Sequence, residues 1–200
     1  MKKIVFATGN PTKAKRFSKG LHDKNIDVIS LKDLNIELEV TENGKTAIEN
    51  ALIKARECYK KTGMPSIGMD DTLYLEGVPE EKQPGLFVRR VNGKNLSDEE
   101  MIKHYTSLVK EYGCENKLHC KWIYGLAVIN DDGVESTYTW FKDGFYMVDV
   151  PSNKINPGYP LNSISKYENI DKYFTDITEE DKKYIKKDES DVVDFISKHV

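Results

Sequence analysis

The chain of 200 residues and 22.9 kDa, 38% hydrophobic and 32% charged, has the size and balance of one soluble domain that can bury a core without covalent staples. Its formal charge is 30 − 33 = −3 with both signs interspersed, which argues against nucleic acid as a partner but leaves room for a local lysine cluster around a phosphorylated small molecule. The three cysteines, Cys58, Cys114 and Cys120, form an odd set without C-x-x-C spacing, so neither a disulfide framework nor a zinc site is expected, and a reducing compartment fits.

The first element is a strand expected over 3–7, whose apolar run is too short for a signal-peptide core. No later run is long enough to span a membrane, so a cytoplasmic location without a membrane partner is expected. After a Gly-Asn-Pro turn, the spacing of Ala14, Phe17 and Leu21 predicts a helix beginning at Thr12. IDVIS at 26–30 reads as a second strand. Ile48, Ala51, Leu52, Ala55 and Tyr59 then fall at helical spacing, behind a capping box at Thr46-x-x-Glu49 and ahead of a terminating Gly63. SIGM at 66–69 predicts a short buried strand that ends in Asp70-Asp71. Strand, helix, strand, helix, strand is the α/β pattern.

A further helix is expected after a second capping box, Ser97-x-x-Glu100, with Met101, Tyr105, Leu108 and Tyr112 on one face. From Lys117 to Val150 the reading changes to long β segments that flank a hairpin turn at Asp131-Asp132-Gly133. The charged tail after Thr178 reads as helical, with Val192, Val193 and Ile196 as its buried stripe. No repeat or linker interrupts the chain. Residues 1–200 are therefore expected to form a single domain, with a β-rich lobe at about 115–150.

Three stretches carry chemistry. In FATGNPTKAKR, a glycine and an asparagine can turn successive backbone N–H groups toward an anion, and a helix starting beyond them adds its positive end. Lys13 in that first turn opposes the helix dipole unless a phosphate sits there. The stretch is neither a Walker loop nor a dinucleotide fingerprint, and a plain β-α turn with solvated lysines is the competing reading. Strand side chains alternate, so only one of Asp70 and Asp71 can face a given site; two acids could hold Mg²⁺, or could simply make a turn. Glu42 ahead of a helix, and Lys54 within it, each have plain explanations as a dipole partner and a solvated lysine. Taken together, these parts fit phosphoanhydride hydrolysis, in which a divalent cation neutralises charge and a carboxylate directs water.

IVFATGNPTKAKRF, then TENGKTAIENALIKA, then DDT resembles the inosine triphosphate pyrophosphatase family, strongly over about residues 1–75 and more faintly beyond. The resemblance implies an elongated mixed sheet flanked by helices, two lobes around a nucleotide cleft, and a homodimer. It implies hydrolysis of non-standard purine nucleoside triphosphates to the monophosphate and pyrophosphate with Mg²⁺. Residue by residue, it implies that Thr8, Gly9, Asn10 and Lys13 hold the triphosphate. Glu42 and Asp71 become metal ligands, and Asp71 also orients the attacking water. Lys54, Thr72, Arg90 in PGLFVRRV, Tyr159 and Lys182 become further substrate contacts.

The C-terminal half departs from the family pattern. NPGYPLNS has Pro160 where the family has an aspartate that reads the base, and Lys186-Lys187-Asp188 replaces a serine-histidine-arginine. Leu73 follows the Asp-Asp-Thr in place of a glycine, and the next loop carries an extra residue in a charged PEEKQ. An altered or relaxed base preference is therefore expected, because discrimination depends on buried polar groups that a wrong base leaves unpaired. The alternative is a nucleotide sensor that kept the phosphate grip and lost turnover. His119 and Cys120, in a β segment without a ligand-spaced partner, are expected to pack rather than react. The aromatic run from Trp122 to Phe141 is expected to be core or dimer surface.

Overall fold

The computed structural model describes residues 1–8, 13, 15–185 and 189–200. Among the described residues there are eight strands: β1 (Lys2–Phe6), β2 (Ile26–Ser30), β3 (Ser66–Leu75), β4 (Arg90–Val91), β5 (Lys94–Asn95), β6 (Lys117–Ile129), β7 (Glu135–Val148) and β8 (Ser165–Tyr167). The helices are α1 (Ser18–His22), α2 (Ala47–Thr62), α3 (Asp98–Tyr112) and α4 (Ser190–His199), joined by short 3₁₀ turns. Six strands form one sheet in the order β2-β1-β3-β6-β7-β8, and β4 and β5 make a separate ribbon. β1 runs parallel to β2 and to β3, with Val5 opposite Ser66, whereas β7 and β8 are antiparallel. The expected mixed α/β sheet flanked by helices is therefore what the chain forms.

The chain divides into two compact units, one of Met1–Asp71, Tyr124–Trp140 and Asp188–Val200, the other of Thr72–Ile123 and Phe141–Lys187. In the first unit, α2 is set by local signals. Thr46 Oγ1 accepts from Glu49 N–H at 3.2 Å, and Gly63 closes the helix at φ 65°. Only half of the expected capping box forms, because the Glu49 carboxylate takes the N–H of Lys45 at 2.6 Å rather than that of Thr46. The buried face of α2 is built from small residues. Ala51 and Ala55 meet Ala127 and Ile129 with no solvent gap. A Cβ on Gly68 of β3 would stand 1.9 Å from the Ala51 carbonyl oxygen, and one on Gly125 of β6 would stand 2.4 Å from the Ile48 nitrogen. The helix backbone rests directly on two strands, and that approach brings its polar residues to β3.

Two expectations need correction here. The strand expected at 66–69 continues to Leu75, so Asp70 and Asp71 lie inside β3 and not at its end. Beyond the acids, Leu73 and Leu75 alternate into the core of the second unit, and their burial keeps the chain extended. The helix expected from Thr12 is interrupted: Lys13 and Lys15 are helical, Arg16 and Phe17 form a turn in which Arg16 N–H donates to the Lys13 carbonyl at 3.1 Å, and α1 follows. Thr12 and Ala14 fall outside the described residues. Phe17 and Leu21 are buried as expected, and Phe17 stacks on Phe6 at 6.4 Å. Each such buried ring contributes roughly 2–3 kcal/mol of apolar transfer.

In the second unit, α3 carries the complete Ser97/Glu100 box and buries Met101, Tyr105, Leu108 and Val109. They meet Leu118, Cys120, Phe145 and Met147, with Tyr112 packed at the margin. The tail is not one helix. A 3₁₀ turn at Asp181–Tyr184 precedes α4, where Val192 and Ile196 are buried and Val193 is half-buried. Among the described residues no helix is long and apolar enough to cross a membrane.

Candidate functional site

Asn50 and Lys54 lie four residues apart on α2 and so share the face that meets β3. Asn50 Nδ2 donates to Asp70 Oδ2 at 2.9 Å, while its Oδ1 accepts from Gly44 N–H at 2.8 Å. Lys54 Nζ reaches Asp70 Oδ1 at 3.1 Å and Glu42 Oε2 at 2.8 Å. Asp70 is thereby consumed in tying strand to helix, and Lys54 draws Glu42 onto the same network. Strand alternation sends Asp71 the other way, where its carboxylate pairs with the ammonium of Lys13. Two adjacent acids thus have separate surroundings, one buried and locked, the other half-buried beside a lysine.

Thr8, Glu42 and Lys54 line a common cavity of about 800 Å³, whose remaining wall comes from Ala7 and the segment 30–40. Sequence reasoning left that segment without a role, because an unpaired loop has no periodicity tied to a partner strand. It also missed Arg16. The Arg16 guanidinium donates from Nε to both Glu189 oxygens, at 2.9 and 3.0 Å, and from Nη2 to the same carboxylate. It lies 4.5 Å from the centre of the Tyr124 ring and 5.6 Å from that of Trp140. Burial opposes the charge on Arg16, yet the Glu189 carboxylate outweighs it and holds the guanidinium pKa above its ordinary value. Burial likewise pushes the Tyr124 hydroxyl up to about 12. The partners are 173 positions apart, so no local pattern announces them.

In the second unit, Thr72 is half-buried. Arg90 is exposed with its guanidinium 5.1 Å from the Phe87 ring centre, while its neighbour Arg89 pairs with Asp98 at 2.9 Å. Tyr159 is half-buried and follows Gly158, whose N–H donates to Asp98 at 3.1 Å. That N–H, and then Arg89, hold the Asp98 carboxyl below its ordinary pKa. Lys182 is exposed and paired with Glu179. Gly9, Asn10 and the segment Lys186-Lys187-Asp188 lie outside the described residues. His119 meets Glu168 at 2.7 Å, and Cys120 is buried, its thiol pushed up to about 12 by desolvation. A thiol so held is not a nucleophile at neutral pH.

Among the described residues no three or more His, Cys, Asp or Glu side chains cluster as a metal cage. The donors present are hard carboxylate oxygens, each facing an ammonium group. Carboxylate oxygens of this kind are the donors Mg²⁺ takes, with water and phosphate completing its shell, and in this structure Glu42 and Asp71 face different lysines.

The sequence matches the Ham1 family over residues 4–187. The chain is similar to the dITP/XTP pyrophosphatase of Yersinia pseudotuberculosis, 34% identical over 127 residues that cover 62% of this chain and 63% of that one. It is also similar to the dITP/XTP pyrophosphatase of Vibrio vulnificus, 41% identical over 106 residues, or 52% and 50% of the two chains. The chain spans less than two thirds of the length of these curated relatives. A HAM1 protein from Coxiella burnetii shares the fold with a TM-score of 0.74 at 23% identity, over 99% of this chain and 98% of that one. The Staphylococcus aureus Ham1 protein does so with a TM-score of 0.71 at 23% identity, over 92% and 91%. With a match that runs from β1 to the turn before α4, and a sheet of the same fold, the chain belongs to the Ham1 family.

Proposed function

We propose that this protein hydrolyses nucleoside triphosphates to the monophosphate and pyrophosphate, with Mg²⁺, in the cytoplasm and as a homodimer. The observation that carries the reading is the pairing of Lys13 with Asp71, one strand position from the network of Asp70, Lys54 and Glu42. The similar Yersinia and Vibrio proteins are dITP/XTP pyrophosphatases, which supports the same class of substrate.

In this reading, Lys13 exchanges Asp71 for phosphate oxygens when the triphosphate arrives. The freed Asp71 carboxylate orients a water and accepts its proton as the oxygen attacks phosphorus. Lys54 neutralises further phosphate charge, and Thr8, Gly9 and Asn10 grip the tail. Glu42 and Asp71 would hold Mg²⁺, which supplies charge neutralisation on the leaving pyrophosphate. The family resemblance is what supports Thr72, Arg90, Tyr159 and Lys182 as additional contacts.

Substrates are non-standard purine nucleotides such as ITP, XTP and dITP, or an altered set, since Pro160 stands where the base-reading aspartate belongs. Pyrophosphate release from a panel of nucleoside triphosphates with Mg²⁺ tests the reading. Release from at least one is the expected outcome, with Asp71→Asn lowering kcat by about 10²–10⁴. Absence of release from every nucleotide rejects it. Pro160 also favours a second reading, a sensor, which the same panel reports as tight binding without release.

A further inference from the structure

α4 begins at an unusual cap. Glu189 stands at the N-cap position, where a short side chain ordinarily accepts from the first free N–H groups, yet its side chain makes no capping bond. Its backbone starts the helix, the Glu189 carbonyl accepting from the N–H groups of Val192 and Val193, each at 3.1 Å. The carboxylate turns instead to Arg16, which meets it as a fork through Nε and Nη2. A forked pair of guanidinium and carboxylate fixes direction as well as distance, which an ammonium group cannot do.

The other side of Arg16 leads to the phosphate grip. Its guanidinium lies over the Tyr124 ring and hydrogen-bonds the Tyr124 hydroxyl, so the side chain is held at its face as well as at its edge. The backbone N–H of Arg16 donates to the Lys13 carbonyl at 3.1 Å, and the Lys13 ammonium pairs with Asp71. A continuous line of contacts therefore runs from α4 through Glu189 and Arg16 to Lys13. Beyond this turn the chain is tied to α4 a second time. A Cβ on Gly20 of α1 would stand 2.9 Å from Val193 Cγ2, and Lys24 pairs with Asp194 at 2.7 Å. Neither of these two contacts involves Lys13.

We propose that Arg16 and Glu189 are positioning residues for the triphosphate grip, which use the C-terminal helix as an anchor to fix the turn that carries Lys13. The proposal rests on the hydrolase reading above and gives α4 a part in it. The Lys13 side chain is long and flexible, so the place of its ammonium depends on how firmly its backbone is held. Asp71 rides on β3 and keeps its place without the pair. Breaking the pair is therefore expected to weaken the hold on phosphate in the ground and transition states alike, which raises KM and spares kcat. A loss of folded protein does the opposite, lowering the apparent kcat at constant KM.

Steady-state kinetics on the best nucleotide of the panel, with Mg²⁺, test the proposal. Glu189→Gln is nearly isosteric, and Arg16→Lys keeps the charge while losing the fork. Each is expected to raise KM about fivefold or more, with kcat within about threefold of wild type. The double variant is expected to raise KM no further than the larger single effect, because both changes break one contact. Asp194→Asn breaks the separate tie to Lys24 and is expected to leave KM within about twofold of wild type. A smaller KM rise in either single variant, a rise that Asp194→Asn shares, or multiplying effects in the double variant overturns the proposal and leaves the hydrolase reading intact. Wild-type protein that releases pyrophosphate from no nucleotide sinks the hydrolase reading, and this proposal with it. Should Glu189→Gln fail to melt as a folded protein, Arg16→Lys decides by the same two constants.

Discussion

Asp70 and Asp71 are adjacent and chemically identical, yet the strand gives them different work. Asp70 is held by Asn50 and Lys54 with its side chain only 12% exposed, so it serves the join between β3 and α2. Removing it strands Lys54 beside Glu42 and leaves Asn50 without its acceptor. Asp70→Ala is therefore expected to cost about 2–4 kcal/mol, measured by urea unfolding, and Asp71→Asn to leave the midpoint close to wild type. An equal loss in both variants would mean that the two carboxylates are not separated as described. Arg16 shows what single positions conceal. In the sequence it is one of four cations near a turn; in the fold its side chain is held by Glu189 and lies against Tyr124, one helical turn from Lys13.

Elements differ in how far their own residues specify them. α2 and α3 were readable because their caps and periodicity, and for α2 the terminating Gly63, are local, and the structure alters only one half of one capping box. β3 was read too short, since the pull on Leu73 and Leu75 comes from a core assembled by distant segments. The contact between α2 and its strands permits a sharp test. Gly68→Ala places a methyl group 1.9 Å from a backbone carbonyl oxygen that cannot rotate away. It is expected to destabilise the protein by about 3 kcal/mol, at the upper end of overpacking. A calorimetric midpoint within a degree of wild type would contradict the approach.

The 3₁₀ turn at Asp181–Tyr184 carries a pH dependence. Asp181 accepts from Lys172 Nζ at 2.7 Å and from Thr178 N–H at 2.9 Å, and Lys172 first and Thr178 next hold its carboxyl down to about 2. An unfolded aspartate titrates near 4, so folding favours the ionised form and binds fewer protons. Its contribution is complete above about pH 4 and is lost as the pH falls through 2. Thermal midpoints between pH 5 and pH 2 will show that acid loss, and Asp181→Asn will make the curve shallower over the same window.

For the molecule as a whole, composition and local pattern were sufficient for the fold class. An α/β alternation with capped helices and a β hairpin has few ways to bury its apolar faces. The candidates Thr8, Glu42 and Lys54, which the structure sets along one cavity, could likewise be picked out, because turn chemistry and spacing are properties of short stretches. What only the tertiary structure decided was which acid is structural, which residue clamps the first helical turn, and that the unpaired segment 30–40 walls a cavity. Those outcomes depend on contacts between residues up to 173 positions apart, and such contacts exist only once the sheet has brought them together.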